Sequence, residues 1–206
     1  MAQSPEIAGP ATVESFVRGA QGEPFSVEAI LQGCGEQDGF SGCILYAEGW
    51  RWVAADGAGS NQAAMQVLAG LPVNTPVHME GDLVFYGDVT AEVVISRIAA
   101  VEGGDPHARL RAAMQGDWVS AEDPLSTLQV RGSEETWVYD GEVGEQFIVT
   151  FAETCDDSAA PGTFLTKRLL QSADPMVLCY AVESLTPDRM VLMYLPRGNL
   201  LDYVRP

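Results

Sequence analysis

From Trp118 to the end of the chain, apolar and polar residues alternate in short runs, and each run stops at turn-forming residues. That is the pattern of half-buried β-strands. Leu128 and Val130 fall on one face, and Thr127, Gln129 and Arg131 on the other. Trp137 and Tyr139 are offset by two, and Asp140-Gly141 follows as a hairpin turn. Phe147, Val149 and Phe151 form another alternating face, and Leu165 and Leu169 mark a weaker segment before Asp174-Pro175. Residues 176–182 and 190–195 are separated by Thr186-Pro187-Asp188, and Arg197-Gly198-Asn199 turns the chain into a last strand over 200–205. With Trp118-Val119-Ser120 these make eight strands and no intervening helix. Short turns pair neighbouring strands antiparallel, and closure into a barrel removes the exposed edges.

The first half carries a second strand pattern and one change of period. Residues 1–24 read as an irregular leader, broken at Gly9-Pro10 and Gly22-Glu23-Pro24, with a helical turn around 13–18. Strands are expected over 26–34, 43–48 and 50–55. Ala64, Val67, Leu68 and Leu71 then sit at helical spacing, with Ser60 as the expected N-cap and Pro72 as the stop. Two more strands are expected over 75–82 and 90–102. The order βββ-α-ββ predicts a five-stranded OB-like barrel over 25–103. Gly103-Gly104-Asp105-Pro106 marks a boundary, and 104–115 should hold a linker helix capped by Asp105, with Pro106 at its first position. The fold class expected is therefore mainly β, a five-stranded barrel followed by a small eight-stranded one over 116–206.

Gly116-x-Trp118, at the start of the second set of strands, and Arg205, at the end of the last, resemble the signature of lipocalin-like (calycin) barrels. The resemblance covers 114–206. It implies that Trp118 closes the barrel floor and that the Arg205 cation packs across its ring. The chain departs from the family in size, since its strands are shorter than those of typical lipocalins and nearer to small bacterial barrels, which include protease inhibitors. Strands this short, with bulky Leu128, Val130, Phe147, Val149 and Phe151 on alternating faces, predict an interior filled by side chains and binding on outer surfaces.

Charge narrows the partners. The formal net charge is −18, with a single lysine, Lys167, and it is spread evenly: 15 acidic and 6 basic residues lie in 116–206, and 14 and 5 before them. Such a surface keeps a protein soluble and repels nucleic-acid phosphates. No run is long and apolar enough to predict a membrane span. Met1-Ala2-Gln3-Ser4 shows no basic or apolar signal region, but Ala2-Gln3 resembles a mature N-terminus left after cleavage, with Met1 supplied for expression. The expectation is a periplasmic or secreted chain whose signal peptide has been removed. The four cysteines agree with export: none has C-x-x-C spacing, and an even count suggests disulfides more than a metal site. Three connectivities are open, of which one bridge in each half, Cys34 with Cys43 and Cys155 with Cys179, is the simplest. Four buried thiols in a cytosolic protein is the competing reading.

The search for chemistry in the sequence is mostly negative. His78 and His107 are the only histidines, and neither has a ligand or a nucleophile at a useful spacing. Gly57-Ala58-Gly59-Ser60 leads into a helix and could seat an anion, but it matches no phosphate-binding fingerprint. Glu134-Glu135, Asp140-x-Glu142 and Asp156-Asp157 lack calcium-loop spacing and read as solubilising hairpin tips. Trp50, Trp52, Trp137 and Tyr139 alternate as strand residues do, which makes core packing the default and an exposed binding stripe the alternative. No catalytic, cofactor-binding or metal-binding residue stands out. The sequence thus leads to an exported, non-catalytic binding or interaction protein, its partner a protein or small molecule of unknown identity. An inhibitor of an extracellular protease, by the resemblance alone, and an enzyme with a carboxylate-lined barrel mouth are the alternatives.

Overall fold

Alternation in the first half builds five strands and a helix: β1 Glu23–Gln37, β2 Phe40–Ala47, β3 Trp50–Ala55, α1 Gln62–Gly70, β4 Pro76–Tyr86 and β5 Thr90–Ala100. The computed structural model describes residues 17–37, 40–87, 90–156, 158, 160–170, 176–195 and 197–206. Residues 1–16 of the expected leader and the Asp174-Pro175 turn lie outside these. The chain divides into two units, Met1–Pro106 and His107–Pro206.

In the first unit the strands close in the order β1-β2-β3-β5-β4, with β4 returning to β1. All pairings are antiparallel except β3 with β5, where only Arg51 to Val53 run parallel to Thr90 to Glu92. β1 serves two neighbours: residues 23–30 pair with β4, and residues 30–37 with β2 past an irregularity between Leu31 and Gly33 that bends the strand. Leu31, Leu45, Trp52, Val77, Met79 and Ile95 fill the interior, and α1 adds Ala64 and Leu68. The cap of α1 differs from the expected one. Asn61 Oδ1 accepts from the amides of Ala63 and Ala64 at 2.8 and 3.4 Å, whereas Ser60 Oγ accepts from the Ile95 amide at 3.0 Å. Asn caps as well as Ser does, so the choice is made by the neighbouring strand.

The second unit is an up-and-down barrel entered through a short helix. α2 Ala108–Met114 starts later than expected, with His107 rather than Asp105 at the N-cap position and no side-chain capping bond; Pro106 and His107 are used in the preceding turn. The strands are β6 Gly116–Ser120, β7 Ser126–Arg131, β8 Glu134–Tyr139, β9 Glu142–Ala152, β10 Phe164–Leu169, β11 Val177–Leu185, β12 Arg189–Leu195 and β13 Asn199–Val204. Each pairs antiparallel with its chain neighbours, and β13 closes on β6 through Tyr203↔Ser120 and Val204↔Val119. The segment around Leu165 and Leu169, weak in sequence, is a full barrel strand.

One disulfide lies in each unit. Cys34 and Cys43 are direct cross-strand partners on β1 and β2, and Cys155, just after β9, is bonded to Cys179 on β11. Two disulfides fit an oxidising environment. Among the described residues, no helix is long and apolar enough to cross a membrane.

Candidate binding site in the eight-stranded barrel

Because the strands run alternately up and down, four of their seven connections lie at one end of the barrel and three at the other. One end is plugged. Trp118 is fully buried, and its indole Nε1 donates to the Met114 carbonyl at 2.7 Å. The Arg205 guanidinium lies 3.6 Å above the Trp118 ring centroid. It also donates to three carbonyls, Nε to Pro187 at 2.9 Å, Nη1 to Asp117 at 3.1 Å and Nη2 to Ala113 at 2.9 Å. Gly116 makes this possible: its φ is +104°, and a Cβ there would stand 2.7 Å from Arg205 Nη1. The planar fork spans α2, β6 and the β11–β12 turn, which a lysine ammonium cannot do. Arg205→Lys should therefore lower stability by about 1–3 kcal/mol, the worth of one or two hydrogen bonds plus the stacked cation. The check is a shift in urea midpoint at constant slope.

Among the described residues, the other end carries no helix. Among the described residues, the large apolar side chains exposed in this unit are Leu125, Tyr139, Val143, Met176, Val177, Leu200 and Val204. All except Val204 sit on connections or strand ends at the end opposite Trp118. Just inside, Trp137 donates from Nε1 to Ser126 Oγ at 3.0 Å and lies 5.9 Å from the Tyr139 ring. Gly144 opens space for that indole, since a Cβ there would come within 2.6 Å of Trp137 Cε3. Exposed Glu122, Asp140, Glu142 and Glu145 surround this end.

Charged and phenolic groups lie inside the barrel. Cross-strand partners share a face, and Glu135 lies opposite Val130 and Phe147, which are core residues. Lys167 lies opposite Val149 and Leu178 on the same inner face. The two meet with Nζ 2.6 Å from Oε1, at 4% and 1% side-chain exposure. Lys167 Nζ also sits 4.9 Å from the centroid of the Tyr180 ring, which in turn is 5.2 Å from Tyr194. The second carboxylate oxygen, Glu135 Oε2, is buried and meets no donor from the described residues. Glu135 is thus not the solubilising tip residue expected from Glu134-Glu135. It belongs to the inward parity of Trp137, as Lys167 belongs to that of Leu165 and Leu169. This parity is the signal that could have found both.

The field of Glu135 reaches two buried tyrosines. Burial pushes the Tyr203 hydroxyl up to about 12, and Glu135 adds to the effect. Burial raises Tyr180 beyond the ordinary phenol range, with Glu135, Tyr203, Tyr194 and Glu145 adding. An unfolded tyrosine gives up its proton near pH 10. The native state therefore holds more protons between pH 10 and about 12. The stability from these phenols is fully present below pH 10 and is lost as the pH rises through that window. Phenolate absorbance should show two tyrosines that titrate only as the barrel unfolds, and a loss of circular dichroism should accompany them.

Other candidate residues from the sequence lie elsewhere. His78 Nε2 is 3.0 Å from Ser26 Oγ, and His107 packs 5.8 Å from the Phe151 ring. The glycine-rich stretch before α1 faces amides that Asn61 already engages. Trp52 is buried against Phe25, and Trp50 contacts Tyr86. On the first barrel a shallow apolar concavity of about 220 Å³ lies where β3 and β5 part, lined by Phe40, Val53, Ala55, Val84, Glu92 and Val94. Among the described residues, no group of three or more His, Cys, Asp or Glu side chains could hold a metal ion. Comparison with protein-family models, curated proteins and solved structures finds no match.

Proposed function

We propose that this chain is a non-catalytic binding protein of the periplasm or of the extracellular space, and that it takes a small, largely apolar molecule at the unplugged end of its eight-stranded barrel. The observation that carries this reading is the Lys167–Glu135 pair with one carboxylate oxygen unserved, beneath an end lined by exposed apolar side chains. Burying two charges removes them from water at a cost of several kcal/mol each, and a barrel floor of Leu and Phe would avoid it. Scattered exposed apolar residues need no explanation; six gathered at the end opposite the Trp118 plug do. The Gly116, Trp118 and Arg205 plug supports a lipocalin-like identity for this barrel, and the 1-2-3-5-4 strand order with a helix after the third strand supports an OB-like identity for the first. The charge of −18 argues against nucleic acid as the partner. The inhibitor reading has no observation of its own, whereas a protein partner on the first barrel draws on exposed Val84, Phe85 and Tyr86 beside its concavity.

The test is titration of the full chain with a neutral fluorescent probe, N-phenylnaphthylamine, with Tyr139→Asp and Leu200→Asp as rim variants. Saturable binding that weakens about tenfold or more in the variants, a change of about 1.4 kcal/mol, is the expected result. Binding equal in wild type and rim variants, or none to the wild type, would sink the proposal.

A further inference from the structure

Resting on the binding site just described, we infer that the guest of the eight-stranded barrel is a neutral aromatic molecule with one O–H or N–H donor, of the phenol or indole class, and that it gives this donor to Glu135 Oε2. The carboxylate is half served. Lys167 Nζ occupies Oε1 at 2.6 Å, while Oε2 is buried with no protein donor among the described residues. A buried acceptor left unserved is costly, and a charged one more so. The barrel interior thus calls for one further donor at this atom.

Charge selects against ionised guests. Lys167 already neutralises Glu135, so an ammonium group at Oε2 would bury a second cation within reach of Nζ. A carboxylate guest would meet Glu135 itself, with exposed Glu145 nearby. Only a neutral donor adds a hydrogen bond without adding an uncompensated charge. Shape selects for a ring. Tyr180, Tyr194 and Trp137 lie on the inner face of the barrel and join its core, and their faces favour offset or edge-on contact with another aromatic.

Indole, N-methylindole and tryptamine separate these terms, because the first two differ in the donor and the third adds a cation. The full chain is titrated with each, by calorimetry and by amide chemical shifts. Indole should bind about tenfold more tightly than N-methylindole, the effect of one hydrogen bond to a charged acceptor, and tryptamine should bind more weakly than indole. The shifts should centre on the strands that carry Glu135, Lys167 and Tyr180. In Glu135→Leu/Lys167→Met, which removes both charges together and leaves neither unpaired, the two neutral probes should bind alike. Equal binding of indole and N-methylindole by the wild type would mean that solvent serves Oε2. The donor assignment would then fall while the binding site stood. Preference for tryptamine would overturn the neutral guest. A chain that binds neither indole nor N-phenylnaphthylamine would overturn both the inference and the reading beneath it.

Discussion

Lys167→Met should destabilise the second barrel by about 3–5 kcal/mol, the usual result of removing one member of a buried ion pair. The lysine is 4% exposed, and its partner Glu135 is 1% exposed. With Nζ gone, the buried carboxylate loses its cation and the hydrogen bond that Lys167 gives to Oε1. Glu135→Leu/Lys167→Met should recover most or all of the loss, because a well-packed apolar pair is often as stable as the ion pair it replaces. Amide hydrogen exchange in β8, β9 and β10 reports this unit without interference from the first. A single variant that loses less than about 1 kcal/mol would show that water reaches the pair, since solvated pairs contribute about that much. Recovery in the double variant, with probe discrimination lost, would mark the pair as retained for binding rather than stability.

That pair also marks where sequence reading reached its limit. Alternation of Leu128 with Val130, and of Phe147 with Val149 and Phe151, follows directly from the two-residue period of a pleated strand, and the core holds these residues on one face. The same rule assigns Glu and Lys to solvent wherever they occur. Glu135 and Lys167 escape it because each is acceptable inside only when the other is there, and they stand 32 residues apart on strands separated by β9. No local window contains both. The plug is different: Gly116 and Trp118 are neighbours in sequence, Arg205 ends the last strand, and closure of the barrel brings the ends together. The open end was not legible, since Leu125 and Met176 lie in separate connections and Tyr139 and Leu200 at the ends of two further strands. Only the up-and-down topology gathers them. The Ser60 and Asn61 exchange at α1 is a smaller instance, decided by the Ile95 amide.

The two disulfides should differ in what they contribute, and the larger effect is expected at Cys155–Cys179. Its sequence separation is 24, against 9 for Cys34–Cys43. In the chain-entropy treatment, a cross-link stabilises by limiting the unfolded chain, and the effect grows with the logarithm of the loop it closes, giving about 3.5 kcal/mol for the longer loop and about 2.5 for the shorter. Local context widens the difference. Cys34 and Cys43 are already opposite one another in the β1–β2 ladder, so hydrogen bonds hold that hairpin without the bridge. Cys155 follows the end of β9, and its bond to Cys179 on β11 reaches past β10, which no ladder contact between β9 and β11 does. Cys155→Ala/Cys179→Ala should therefore lower the unfolding midpoint of the second barrel more than Cys34→Ala/Cys43→Ala lowers that of the first. Thermal unfolding with and without reductant gives an independent measure, and reduction should reproduce both losses. The opposite ranking would show that the shorter bridge supports the bend in β1, not merely its hairpin. If both pairs were cleaved without loss of midpoint, the bridges would contribute no stability, and the inference of an oxidising compartment would rest on their presence alone.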